Sequence, residues 1–258
     1  MTSIIETLDA WYAYRNDLKA SNVSIGFVPT MGALHEGHME LIRQARLETE
    51  CVVVSVFLNP TQFDNPEDFD LYPRTLDEDR ILASEAGADV IIAPMKESLY
   101  PDGYRYKLTE TEFSQQLEGA HRPGHFDGVL TVVLKLFNIV QPERAYLGEK
   151  DFQQLRLIEG MVDALFMNVR VVAVPTVRET DGLAKSSRNV LLTVAARSKA
   201  PAFYRSLTKA PTTEAARNEL ISEGFDVEYI EDLEERRLGA VVIDNVRLID
   251  NVAIKDTI

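Results

Sequence analysis

The sequence predicts a mostly parallel α/β sheet with helices on both faces, followed by a smaller C-terminal α+β domain. Three observations carry this reading. Apolar strand-like runs alternate with helical segments over the first two thirds of the 258 residues, and such alternation requires right-handed crossover connections. One of those runs, Cys51–Phe57 (CVVVSVF), is rich in β-branched residues without polar alternation, as in strands buried on both faces. From about Thr176 the rhythm changes to two helices and then closely spaced strands.

Taken in order, Ser24–Val28 (SIGFV) reads as a short strand, followed by a loop and a helix from about Gly37 to Glu48. After the strand Cys51–Phe57, Arg74–Gly87 reads as a helix stopped by its glycine, and Ala88–Pro94 as a strand ended by proline. An irregular stretch leads to an apolar helix at Val129–Val140, then a strand at Arg144–Gly148. A helix from Asp151 to about Ala164 and a strand at Val169–Val174 complete the alternation. The domain boundary is expected between residues 175 and 176, giving domains 1–175 and 176–258. In the second, Phe225–Ile230 reads as a strand, and Ala240–Asp250 as two strands joined by a turn at Asp244-Asn245. The acidic stretch Glu223–Glu235 reads as a solvated face. No internal repeat or low-complexity tract is visible.

With 27 basic and 41 acidic residues, the net charge of −14 disfavours nucleic acid and anionic membranes as partners. An anionic substrate needs its own cluster of positive groups. Cys51 stands alone, which rules out a disulfide framework within the chain and suits a reducing cytoplasm. The first residues carry acids and no long apolar core, so they do not read as a signal peptide. The most apolar run, Val129–Val140, is too short to span a bilayer and contains Lys135.

Chemistry concentrates first in Val28–Ile42 (VPTMGALHEGHMELI). His35 and His38, three residues apart at a helix start, share one helical face. Unpaired backbone N–H groups and the macrodipole there favour anions. Gly32 and Gly37 let the backbone turn tightly and let a ligand approach. A zinc reading competes, since His121 and His125 bring the histidines to four, but the His-Glu-x-x-His spacing is absent and the helix dipole has the wrong sign for a cation. A purely structural reading, with the histidines as caps, is weakened by the pairing of two rings beside glycines. Neither a P-loop nor a dinucleotide-binding glycine motif occurs, which leaves a histidine-based nucleotide site.

Ligands of open α/β sheets gather at the carboxyl ends of strands, and three further segments lie there. FLNPTQF follows one strand and offers Gln62; YLGEKDFQQL follows another and offers Lys150 and Gln154. DGLAKSSRN brings two hydroxyls and Arg188 near the domain boundary. A lysine point charge and a guanidinium suit phosphates, and a glutamine pair suits a small polar ligand. Cys51 opens a buried-looking strand and reads as core.

Read together, PTMGALHEGH, FLNPTQF, YPRT, HRPGHFDGVLTVV, GEKDFQQ and PTVRETDGLAKSSRN closely resemble the pantothenate synthetases, the pantoate–β-alanine ligases. The likeness runs from about Ile25 to Asn189; the last seventy or so residues match less clearly. HEGH itself resembles the His-x-Gly-His signature of the wider nucleotidylyltransferase superfamily. The resemblance implies a Rossmann-like first domain and a two-step reaction. Pantoate and ATP would give pantoyl adenylate and pyrophosphate, and β-alanine would then displace AMP. ATP would arrive with Mg2+, for which no protein metal site is expected. The resemblance implies that Met31, Gly32, Ala33, Leu34, His35, Glu36, Gly37 and His38 line the ATP site, with His38 as proton donor to the departing group. Gly148, Glu149, Lys150, Asp151 and Val177 would hold the nucleoside part, with Lys150 reaching the phosphates. Lys185, Ser186, Ser187 and Arg188 would close over ATP, and Gln62 and Gln154 would bind pantoate. A cytoplasmic homodimer is implied as well. One departure stands out: Lys185 replaces the methionine usual before the paired serines; the swap is neutral if its backbone binds the nucleotide, and the hypothesis is that its ammonium adds a phosphate contact during closure.

Two other functions compete on the sequence. A nucleotidylyltransferase acting on a phosphorylated substrate would share the histidine cleft but should carry more arginine or lysine than the neutral glutamines beside Phe57 and Val132. A nucleotide-sensing module would bind ATP without turnover.

Overall fold

The computed structural model describes residues 2–64 and 66–254. Among them, two compact units form. The larger takes in the chain up to Glu149 together with Gln153–Val174; the smaller consists of Lys150–Phe152 and the chain from Pro175 onward.

In the larger unit the strands are β1 (Ser3–Ile5), β2 (Ile25–Thr30), β3 (Cys51–Val56), β4 (Val90–Ile92), β5 (Arg144–Gly148) and β6 (Arg170–Val174). They pair in parallel in the order β1-β4-β3-β2-β5-β6. The chain steps outward from β2 to β3 on one side and later from β5 to β6 on the other, so the order reverses between β2 and β5. Such a switch point opens a crevice at the carboxyl ends of its strands. Alternate residues face opposite layers. Phe27, Val53, Ala145 and Leu147 meet Trp11, Leu130, Phe137 and Ile158 on one face. Val28, Val52, Val54 and Tyr146 meet Ile42, Ala45 and Ala83 on the other. Burial on both sides accounts for the continuous apolar runs of β2 and β3.

Several elements depart from expectation. Strand β1 and the helix Leu8–Ala20 were not legible, because the helix alternates acids and aromatics without a clean apolar stripe and buries only Trp11. Strand β2 continues through Pro29, although proline cannot donate to a ladder. The β2–β5 pairing covers only Gly26 and Phe27, so the missing N–H of Pro29 lies beyond it. The helix expected at Val129–Val140 begins at His125, after Gly124 in a left-handed conformation. Tertiary burial of His125 and Phe126 extends it through a sequence containing Gly128. Gly87, at φ 104°, ends the helix Leu76–Ala86 as its position predicted.

The smaller unit joins helices Val194–Lys199, Pro201–Lys209 and Thr213–Ser222 to an antiparallel sheet of β7 (Asp226–Leu233), β8 (Arg236–Ile243) and β9 (Val246–Ala253). Asp244 and Asn245 both take positive φ, 48° and 62°, so the β8–β9 turn has the left-handed pair that suits a two-residue hairpin. The acidic stretch Glu223–Glu235 is only partly a solvated face. It contains all of β7, which buries Val227, Tyr229 and Ile230 while Glu228 pairs with Arg247 and Asp232 with Arg237. Inside this unit, the Asn251 amide donates to the Lys150 carbonyl (3.0 Å) and the Arg236 guanidinium lies 5.2 Å over the Phe152 ring. These contacts bind Lys150–Phe152 to β8 and β9, a membership the local sequence does not betray.

Among the described residues, no helix is long and apolar enough to cross a membrane.

Candidate active site

The loop leaving β2 is held by hydrogen bonds that its unusual backbone requires. Gly32 and Ala33 both take positive φ, 88° and 51°. The Gly32 N–H donates to Thr30 Oγ1 (3.1 Å), and Thr30 Oγ1 donates to the Ser55 carbonyl on β3 (2.6 Å). Ala33 and Leu34 donate to the two oxygens of Asp79, at 3.1 and 2.7 Å. Burial pushes the Asp79 carboxyl up, against the opposing pull of these hydrogen bonds. The side chain of Leu34 points into the core, so it can serve a ligand only through the backbone.

His35 then caps the helix Glu36–Glu48 reciprocally with His38. His35 Nδ1 accepts from the Gly37 N–H (3.1 Å), and His38 Nδ1 accepts from the His35 N–H (3.3 Å). Histidines here play the parts that Ser/Thr and Glu/Gln play in a capping box. Each Nδ1 is an acceptor, so each neutral ring carries its proton on Nε2. The ring centroids lie 4.1 Å apart, giving a pair of Nε2–H donors at a helix N-terminus. The structural and functional readings of this pair are therefore compatible: the cap sets the tautomer, and the tautomer sets the chemistry.

Gln62 lies in the short turn Pro60–Gln62 after β3, mostly buried. Its Oε1 accepts from Asn59 Nδ2 (3.0 Å), which also donates to the Gly128 carbonyl (3.2 Å). Asn59 Oδ1 accepts in turn from the Tyr100 hydroxyl (2.8 Å), whose pKa burial raises to about 12 and so keeps it a donor. With Oε1 engaged, the Nε2 donors are the part of Gln62 that can meet a ligand. His125 donates through Nδ1 to the Gln62 carbonyl (2.8 Å) and accepts at Nε2 from Arg122 (3.2 Å). That is an orienting role for the histidine that entered the zinc reading. Among the described residues, no group of three or more His, Cys, Asp or Glu side chains gathers as metal ligands would. Asn59, Tyr100, Arg122, His125 and Gly128 form a support for Gln62 that spacing alone could not reveal.

Burial, and then the Arg122 charge, lower the His125 pKa from 6.5 to about 4. Between those values the unfolded chain binds a proton that the folded chain does not, so stability rises with pH across this window. Acidification from pH 6.5 to 4 should therefore remove about 3 kcal/mol through this residue. Denaturant unfolding at pH 7 and pH 4.5 should show the loss in the native protein and a shallower one in His125→Gln.

The neighbouring glutamines of the helix Phe152–Ala164 divide cleanly. Gln153 is buried and spends both ends of its amide on backbone, accepting from Glu118 N–H (3.0 Å) and donating to the Phe113 and Gln116 carbonyls (2.7 and 2.9 Å). Gln154, half-buried, is the one suited to a ligand. Cys51 is buried in β3, and desolvation raises its pKa to about 11, so it offers no thiolate nucleophile.

In the smaller unit, Lys150 has its ammonium 3.4 Å from Asp151. The segment carrying Val177 and Lys185–Arg188 folds back on itself: Lys185 N–H donates to the Val177 carbonyl (2.9 Å), and Arg178 bridges to Ala184. Arg178 anchors it, donating to both oxygens of buried Asp250 (2.6 and 3.0 Å) and to the carbonyls of Gly182 and Asn251. Asn251 also holds the Lys150 carbonyl, so the two segments share one anchor on β9. Ser186 Oγ accepts from the Arg188 N–H (3.3 Å), capping the turn Ser187–Leu191. The Lys185 ammonium pairs with Glu179 at 2.9 Å.

Residues 3–253 match the family model described as pantoate-β-alanine ligase. A pantothenate synthetase of Bdellovibrio bacteriovorus is 52% identical over 98% of this chain and 100% of its own length. One from Legionella pneumophila is 49% identical over 96% of this chain and 98% of its own. Among solved structures, the pantoate-β-alanine ligase of Francisella tularensis, complexed with β,γ-ATP and β-alanine, superposes with a TM-score of 0.93 at 41% identity, covering 98% of both chains. The Thermus thermophilus pantothenate synthetase gives a TM-score of 0.90 at 41% identity, over 98% of this chain and 99% of its own.

Proposed function

The chain belongs to the pantoate–β-alanine ligase family, and on that premise we propose that it condenses pantoate with β-alanine, using ATP, through a pantoyl adenylate. In the first step a pantoate carboxylate oxygen attacks the α-phosphorus of ATP in line. The new P–O bond replaces the bond to the bridging oxygen, and pyrophosphate departs. In the second step the β-alanine amine attacks the pantoyl carbonyl, a C–N bond forms, the C–O bond to AMP breaks, and the amine loses its proton.

Neither step needs a covalent nucleophile on the protein. Both need alignment and donors where negative charge builds. The observation that carries this reading is the capped histidine pair, whose two Nε2–H donors suit a polyphosphate. His35 serves as ATP contact and His38 as contact and donor to the departing pyrophosphate oxygen. Met31–Leu34 and Glu36–Gly37 shape the same cradle through backbone. Lys150 and Arg188 are assigned to phosphates, Gly148, Glu149, Asp151 and Val177 to the nucleoside, and Ser186 and Ser187 to hydroxyl contacts with ATP. Gln62 and Gln154 are assigned to pantoate. Mg2+ would accompany the triphosphate and would supply neutralisation of its charge, with no protein ligand assigned to it. The enzyme is assigned to the cytoplasm as a homodimer, in keeping with its free, buried Cys51 and its family.

Pantoate-dependent exchange of labelled pyrophosphate into ATP tests the reading directly. Exchange that requires a phosphorylated acceptor in place of pantoate would point instead to a nucleotidylyltransferase, and no exchange with either acceptor to an ATP-binding module. Lys185 is proposed as an added phosphate contact for which ATP must compete with Glu179. Lys185→Met should then raise the ATP KM about two- to fivefold, the worth of one partly exposed charge contact. Unchanged KM and kcat would leave Lys185 to its ion pair alone.

A further inference from the structure

A loop that presents two ligand-facing rings must itself be held, and the groups that hold the loop after β2 come from a helix remote in sequence. Asp79 lies in the first turn of Leu76–Ala86 and is 1% exposed, so it cannot meet a substrate. Its Oδ2 accepts the Ala33 N–H (3.1 Å), and its Oδ1 accepts both the Leu34 N–H (2.7 Å) and the Thr75 hydroxyl (3.2 Å). A buried carboxylate is costly unless donors surround it, and here two of the three donors are backbone groups of one loop.

Those donors have few alternatives. Ala33 takes φ 51°, sparsely populated for a residue with a Cβ, and it follows Gly32 at φ 88°. A chain in this conformation cannot place its N–H groups in a helix or sheet ladder. The fit is also close: a Cβ on Gly32 would lie 3.0 Å from Asp79 Oδ2 and 3.0 Å from Val56 Cγ1. Immediately after the clamped pair comes His35, which enters the helix with an extended backbone and exchanges caps with His38. The direction of both rings thus depends on where Ala33 and Leu34 are held.

We propose that Asp79 is a positioning residue for the His35–His38 pair, clamping the Gly32–Leu34 backbone so that both imidazoles face the same ligand. The proposal rests on the ligase reading for its kinetic consequence but not for its structural one. Asparagine at this position keeps one acceptor and turns the other into a donor facing a backbone N–H. Asp79→Asn should therefore lower kcat by about tenfold or more, since misplacement by a fraction of an ångström is costly in an alignment-driven reaction. The pantoate KM should stay near the native value, because Gln62 and Gln154 stand on other segments.

The ring resonances of the four histidines, recorded by NMR without substrate, supply the independent readout. Those of His35 and His38 should move in Asp79→Asn while those of His125, held by Gln62 and Arg122, stay in place. A merely structural aspartate would lower the melting temperature and leave both the rings and kcat of the folded protein unchanged; that result overturns the proposal. If Asp79→Asn does not fold, Thr75→Val removes only the hydroxyl that aims Oδ1. It should displace the same two sets of resonances, and native resonances with native kcat would again overturn the assignment. Absence of pantoate-dependent exchange in the native protein would refute the ligase reading while leaving the resonance test standing.

Discussion

Replacing His38 with alanine should lower kcat by about a hundredfold or more, equivalent to some 3 kcal/mol of transition-state stabilisation, with the fold retained. Two losses combine in that variant. The Nε2–H donor proposed for the departing pyrophosphate disappears, and the His35 N–H loses the Nδ1 that caps it at 3.3 Å. The second loss should cost about 1 kcal/mol of stability, as for other N-terminal caps. His38→Gln separates the two, because glutamine is a normal partner at this position of a capping box. Its melting temperature should return toward the native value while kcat stays low. If glutamine restored kcat together with stability, His38 would be a cap and nothing more. Measuring both variants by steady-state kinetics and thermal unfolding decides between these outcomes.

Gly128→Ala is the second substitution with a large expected effect, and here two rules predict opposite signs. Helix propensity favours alanine over glycine inside the helix His125–Val140 by about 1 kcal/mol. Packing opposes it: a Cβ at Gly128 would stand 2.4 Å from the Thr61 carbonyl oxygen, 2.6 Å from its carbon and 2.7 Å from Gln62 Cα. These are backbone atoms of the turn that presents Gln62, and they cannot rotate away. The helix or the turn must shift, which stretches the Asn59–Gly128 and His125–Gln62 hydrogen bonds. Overpacking of this kind costs about 1–3 kcal/mol, enough to cancel the gain in propensity and reverse it. We expect a lower melting temperature and a pantoate KM raised by about tenfold or more, since Gln62, the pantoate contact proposed above, is displaced. A higher melting temperature with native KM would show that helix and turn do not approach so closely.

The histidine pair illustrates how far local sequence reaches. Three-residue spacing at a helix start already brings two rings together, because the N-cap and the third helical residue meet through local geometry. It does not reveal which nitrogen carries the proton; that depends on the backbone donors Gly37 and His35 meeting each Nδ1. The two adjacent glutamines make the same point. Nothing in the order of Gln153 and Gln154 says that the first is consumed by Phe113, Gln116 and Glu118, a segment some forty positions away in the chain. His125 was legible only as a possible metal ligand, because the Gln62 carbonyl and the guanidinium that orient it approach through the fold.

By itself the sequence determined the alternating α/β architecture, the doubly buried β3, the Gly87 stop, the Asp244-Asn245 turn and the family motifs. Each of these follows from periodicity, backbone preference or residue identity within a short window. Only the tertiary structure decided that Asp79 clamps the loop before His35, that Gly128 lets a helix touch the Gln62 turn, and that Lys150–Phe152 belong with β8 and β9. Those outcomes arise from burial and hydrogen bonding between segments far apart in the chain. A buried polar group must find its partner wherever the packed fold supplies one.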